Sequence, residues 1–145
     1  MQLTSSATIQ IQKPIEEVYE GIINPEMMTK YFISESNGRL ETGQDLLWKF
    51  PEFDERFPIT EVVVVENTSV SFKWDPDTQV QIHLEAYNST STVVKITEGD
   101  KDYSPENLAW LISNTGGWSN FLACLKAYLE YGVQLRKGAY DFMRK

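Results

Sequence analysis

One stretch of the sequence, Ser104–Gly132, constrains the fold more than any other. A set of mostly apolar side chains recurs there at alternating spacings of three and four residues: Leu108, Leu111, Thr115, Trp118, Leu122, Leu125 and Leu129. This spacing places the set on one face of a long α-helix. Ser104 is a good N-cap, and Gly132 is a plausible C-cap. Because so long an apolar face must be buried, the sequence predicts a sheet that covers it.

Two glycines interrupt this helical pattern. Gly116 and Gly117 lie in its middle, where each glycine costs about 1 kcal/mol relative to alanine. We expect either a bend or a close backbone contact at this point, and a bend would let the first half of the helix tilt as a lid.

The rest of the chain predicts strands and two short helices. Alternating or β-branched segments predict strands at Leu3–Ile11, Gln44–Phe50, Phe57–Glu66, Val70–Trp74, Gln79–Tyr87 and Ser91–Glu98, with helices at Pro14–Ile23 and Glu26–Tyr31 and an acidic linker at Gly99–Tyr103. The expected fold is therefore α+β, a curved antiparallel sheet of about six to seven strands around a long C-terminal helix. Residues 1–145 are expected to form one domain.

Composition excludes some function classes. The chain carries a net charge of −8 and has a pI of about 4.6, which disfavours nucleic acid and anionic membranes as partners. Its apolar runs are shorter than a membrane span, and its first residues lack the features of a signal peptide. One cysteine cannot form an internal disulfide, so we expect a cytoplasmic protein.

Aromatic side chains on the expected inner faces form the main candidate site. Strand alternation and the helical pattern direct five of them into the space between sheet and helix: Trp48, Phe50, Phe72, Trp74 and Trp118. Tyr31 and Phe32 would form the mouth of a pocket there, and Leu111 and Leu122 would line it from the helix. The alternative is a solid core made of the same side chains. A cavity lined by aromatic groups would suit an apolar ligand.

Three residues carry side chains that could take part in chemistry. Alternation places Glu61 on the inner face, where it would fix a polar group of a ligand or act as an acid or base; alternatively it lies at the rim, paired with a cation. His83 is expected to face outward, and Cys124 to be a small spacer beside the apolar face. A metal site and a cofactor are not expected, because one histidine and one cysteine supply too few ligands.

Four segments carry a resemblance to a known family. They are Pro14–Tyr19, Glu61–Glu66, Val70–Trp74, and Gly117-Trp118 with Leu122, Leu125 and Leu129 after it. Together they resemble the activator of heat-shock-protein-90 ATPase homologue family, within the START-like (SRPBCC) helix-grip superfamily. The resemblance implies a sheet that grips the C-terminal helix around a deep hydrophobic cavity. It also implies that relatives hold lipids, polyketides or other apolar molecules, while a few are enzymes and one branch regulates a chaperone.

The expected function is the non-enzymatic binding of a small hydrophobic molecule of lipid, polyketide or aromatic type. A cyclase or hydrolase that uses Glu61 and Tyr31 is one alternative. An activator of a heat-shock chaperone ATPase is the other. Self-association as a homodimer is left open.

Overall fold

The computed structural model describes residues 1–144, which form a seven-stranded antiparallel sheet and three α-helices. The strands are β1 Gln2–Ile11, β2 Glu35–Ser36, β3 Leu46–Lys49, β4 Arg56–Val65, β5 Ser69–Lys73, β6 Gln79–Asn88 and β7 Ser91–Asp102. The helices are α1 Ile15–Ile23, α2 Pro25–Met28 and α3 Pro105–Tyr131. The expected α+β class, with a curved sheet around a long C-terminal helix, is confirmed.

The strand order across the sheet is β1-β7-β6-β5-β4-β3-β2. Two predicted boundaries are wrong. β7 continues through the expected acidic linker, because Lys101 and Asp102 pair with Leu3 and Gln2 at the edge of the sheet. α2 ends at Met28 instead of Tyr31. The two-residue strand β2 was not predicted, since two residues are too few to show alternation.

The ends of α3 follow the sequence prediction. The Ser104 hydroxyl accepts a hydrogen bond from the Asn107 N–H at 3.0 Å, and Gly132 adopts the left-handed conformation with φ 67°. Burial along the helix is uneven, because its second half packs into the core while Leu108 and Ile112 in its first half are exposed. The helix therefore extends past the core at its amino end.

Strand β4 contains a bulge that the sequence did not reveal. Glu61 has φ 51°, and the pairing with β5 gains one extra residue between Thr60 and Val63. Beyond this point the alternation is reversed, so that Val62 is buried and Val63 is about half exposed. The prediction that Glu61 faces inward is wrong for this reason.

The two glycines of α3 have no close protein neighbour. The helix runs unbroken through Gly116 and Gly117, and a Cβ atom added at either would meet nothing within 4 Å. The expected close backbone contact is therefore wrong, and the glycines face open space.

The interior between sheet and helix is filled by side chains. The space bordered by Trp48, Phe72 and Trp118 has no room for a water-sized probe. Trp48 and Phe72 are buried there with ring centroids 5.3 Å apart, in an edge-to-face arrangement. The broad cavity expected at this place is thus a packed core.

Candidate functional site

A groove of about 590 Å³ lies beside the middle of α3. One wall is the helix itself, from Ser113 to Phe121, including both glycines. The opposite wall comes from the β3–β4 connection with Phe50 and Phe53, and the C-terminal tail closes one end with Arg136 and Tyr140. We call this space the α3 groove.

Two stacked tryptophans form the inner wall of the α3 groove. The rings of Trp74 and Trp118 lie 5.1 Å apart with an interplanar angle of 23°. Phe32 contacts this pair from α2's side, with centroids 6.5 Å from each ring. The residue at position 117 has no side chain, so the groove extends to the helix backbone beside the stack.

A buried carboxylate holds this stack in place. Glu98 on β7 is 1% exposed and accepts a hydrogen bond from each indole N–H, of Trp74 and of Trp118, at 3.0 Å. The Asn114 amide donates to the same carboxylate at 2.8 Å, and the Thr78 hydroxyl donates at 2.6 Å. Each carboxylate oxygen therefore accepts two bonds, which fixes the orientation of both rings.

A buried ion pair fastens the C-terminal tail over the α3 groove. Arg136 donates to both oxygens of Glu52 at 2.7 and 3.1 Å, and both side chains are largely buried. The guanidinium also lies over the rings of Tyr140 and Phe50, 4.7 and 5.4 Å from their centroids. Asn120 on α3 donates to the Tyr140 hydroxyl at 2.9 Å. These contacts join the tail to both walls.

The ten candidate residues from the sequence fall into three groups. Four of them line the α3 groove: Phe32, Phe50, Trp74 and Trp118. Four others are buried in the core outside it: Tyr31, Trp48, Phe72 and Leu122. Leu111 and Glu61 belong to neither group.

Tyr31 is buried and does not line the α3 groove, so it does not form the mouth of that pocket. Its hydroxyl donates to the carbonyl of Gly21 at 2.8 Å. The N–H that would normally satisfy this carbonyl belongs to residue 25, which is proline. Burial raises the pKa of Tyr31 well above its ordinary value, so the phenol stays protonated.

Glu61 lies on the outer surface, which corrects its predicted inward position. Its side chain is 67% exposed and its carboxylate lies 3.5 Å from the Lys73 ammonium. The cyclase or hydrolase alternative required this carboxylate to converge with a second polar group inside the cavity. The structure does not bring Glu61 and Tyr31 together in that way.

Four residues that shape the groove were missed by the sequence analysis: Glu52, Arg136 and Tyr140, which line it, and Glu98, which lies behind its wall. A signal existed for Glu98, because the inward alternation of Val94 and Ile96 continues to it. The other three lie in a loop and in the tail. Glu52 and Arg136 pair although they are 84 residues apart in the sequence, and no local sequence pattern could predict this contact.

The remaining candidates lie outside the groove. His83 is exposed on the outer face of β6, and Cys124 is buried, which raises the pKa of its thiol. Within residues 1–144 there is no cluster of three or more potential metal ligands. No helix in that part of the chain is long and apolar enough to cross a membrane.

Solved structures share this fold over most of the chain. Protein SSP2350 from Staphylococcus saprophyticus is 30% identical with a TM-score of 0.82, and the match covers 92% of this chain and 96% of that one. DynU16, from the dynemicin biosynthetic locus, is 23% identical with a TM-score of 0.77; the match covers 90% of this chain but 48% of DynU16. The Aha1 dimer from Colwellia psychrerythraea is 19% identical with a TM-score of 0.75, covering 90% and 98%.

The sequence itself also identifies the family. No curated protein sequence matches the chain. The family described as activator of Hsp90 ATPase homolog 1-like protein, however, matches residues 12–130. This match spans most of the strands and nearly all of α3, and the fold agrees with it. The chain belongs to the activator of Hsp90 ATPase homolog 1-like family.

Proposed function

We propose that the protein binds a small, largely apolar molecule in the α3 groove and does not convert it. A volume of about 590 Å³ lies within the usual range of small-molecule sites, roughly 300–1,000 Å³. Aromatic rings dominate the walls, and a smaller number of polar side chains from α3, the β3–β4 connection and the tail lie among them. This combination gives an apolar ligand both burial and orientation.

The two glycines carry the proposal. A glycine inside a helix is unfavourable, and here neither Gly116 nor Gly117 relieves a clash with the protein. Neither has a positive φ that would require glycine. Both line the groove, and the space left by their missing side chains lies beside Trp118, where a ligand would contact the helix backbone.

Filling this space tests the proposal. The purified protein would be screened by native mass spectrometry and calorimetry against fatty alcohols, polyketides and aromatic compounds. Gly117→Leu should abolish binding of any hit, because its side chain would enter the groove. Ser119→Leu is the matched control, since Ser119 is exposed on the same helix and does not line the groove. Equal binding by the two variants would place the ligand elsewhere, and the absence of any hit would contradict the proposal.

Activation of a heat-shock chaperone ATPase is a second candidate, supported by the family description and by the name of the Aha1 neighbour. Leu108 and Ile112 offer exposed apolar side chains at the free end of α3 for such a contact. A chaperone ATPase assay with the wild-type protein and an Ile112→Ser variant tests it. We also propose that the protein forms a homodimer, which sedimentation would detect. A cytoplasmic location, supported by the free Cys124, is a further part of the proposed function.

A further inference from the structure

Two buried carboxylates lie close to the α3 groove: Glu52 lines it, and Glu98 lies behind the wall formed by Trp74 and Trp118. Glu52 lies at the tail end, where Phe50 and Tyr140 contact a guanidinium of the chain itself. That guanidinium, of Arg136, neutralises the carboxylate through two hydrogen bonds. At this end of the groove, the chain itself therefore supplies the acid, the aromatic rings and the cation that compensates the acid.

Glu98 also lies beside aromatic rings, but its hydrogen-bond partners are of a different kind. Its four hydrogen bonds come from two indoles, an amide and a hydroxyl, all of them neutral. Indole and amide N–H groups can only donate, so three of the four bonds require an acceptor. Each of the two oxygens accepts at least one of these three bonds, a pattern that suits the charged form of the side chain. Within residues 1–144 no basic side chain forms an ion pair with Glu98.

We propose that the ligand of the α3 groove carries a positive charge, as a quaternary ammonium or an amine attached to an apolar body. The inference rests on the proposed function and specifies its ligand class. Trp74, Trp118 and Asn114 all line the groove and all donate to Glu98, so the carboxylate lies one side chain behind the wall. A cation in the groove gains from this charge at low dielectric and from the aromatic rings around it.

The charges of the groove disfavour an anionic ligand. Glu52, Glu98 and Arg136 sum to −1 at this site, and the whole chain carries −8. A carboxylate or phosphate would have to share the Arg136 guanidinium with Glu52, and its own negative charge would then lack a cation of its own. A neutral ligand would add a further apolar layer around Glu98 without compensating its charge.

Three probes that share one apolar chain and differ in the charge of the head group test the proposed charge of the ligand. Decyltrimethylammonium, decanol and decanoate share a ten-carbon chain and differ in the head group. Titration calorimetry of the full chain should give an affinity for the ammonium at least about tenfold above that for the alcohol. Decanoate should bind most weakly. Equal affinities, or a preference for decanoate, would overturn the charge inference and leave the proposed function standing. Failure of every probe, and of the wider screen above, would overturn both.

A variant then assigns the preference to Glu98. Glu98→Gln removes the charge and should reduce the ratio of ammonium to alcohol affinity towards one. Glu85→Gln, on the exposed face of β6, removes the same formal charge and should preserve the ratio. A ratio unchanged in Glu98→Gln would show that Glu98 only positions the two indoles. Circular dichroism checks the fold of each variant, and if Glu98→Gln does not fold, the three probes alone decide.

Discussion

Replacing both glycines of α3 by alanine should make the protein more stable. Gly116 and Gly117 lie in the helix interior without positive φ, and the added Cβ atoms would meet nothing within 4 Å. Each change should therefore contribute the helical preference of alanine over glycine, about 0.5–1 kcal/mol, because the unfolded chain loses freedom and the fold gains no clash. The sum is about 1–2 kcal/mol, which corresponds to an increase in Tm of about 2–8 °C for a domain of this size.

Urea unfolding followed by circular dichroism measures this change, and Gly21→Ala is the control. Gly21 is also inside a helix, but its Cβ would meet Leu129 at 3.3 Å, so the gain should be smaller or absent. Loss of stability in the double variant, or an equal gain in Gly21→Ala, would refute the argument from open space. If the groove binds a ligand as proposed, the stabilised variant should bind it more weakly, since two methyl groups narrow the site.

Three further outcomes follow from contacts of single side chains. Tyr31→Phe should cost about 1–3 kcal/mol in urea unfolding, because the Gly21 carbonyl loses its donor. The folded state also raises the pKa of Tyr31 above 10.0, so the stability of the wild-type protein should fall as the pH rises past that value. The Tyr31→Phe variant should lack this contribution to the fall. Glu52→Gln should accelerate tryptic cleavage after Arg136, because the tail loses its ion pair, and an unchanged digestion rate would contradict the role of the pair. Cys124 should react with a disulfide reagent only as fast as the chain unfolds, because its thiol is buried and its pKa is raised; rapid labelling of the folded protein would contradict this.

The long helix and most of the strands were accessible from the sequence because their signals are local. Caps, spacing and alternation depend on neighbours within a few residues, and Ser104, Gly132 and the inward faces of β5 and β6 follow these rules. The family resemblance is confirmed by the match over residues 12–130.

The site was less accessible because it depends on departures from regular structure and on distant contacts. The bulge at Glu61 could not be predicted, because no glycine marks its positive φ. It places every later residue of β4 on the face opposite to the one predicted. The amount of open space between sheet and helix could not be predicted from the sequence either, because it depends on the rotamers of the side chains. Trp48 fills the core, whereas Trp74 borders the groove. Arg136 closes the groove through a partner 84 residues away.

The bulge in β4 has a consequence for how this strand can change its length. Glu61 is the extra residue, and without it Ile59, Val62 and Val64 would still alternate inward as a regular strand. Loss of Glu61 therefore leaves the core side chains in phase, whereas loss of any single residue from Val62 onward would turn the following valines out of phase. Position 61 is the point where the strand can lose one residue, and natural one-residue deletions in β4 should concentrate there.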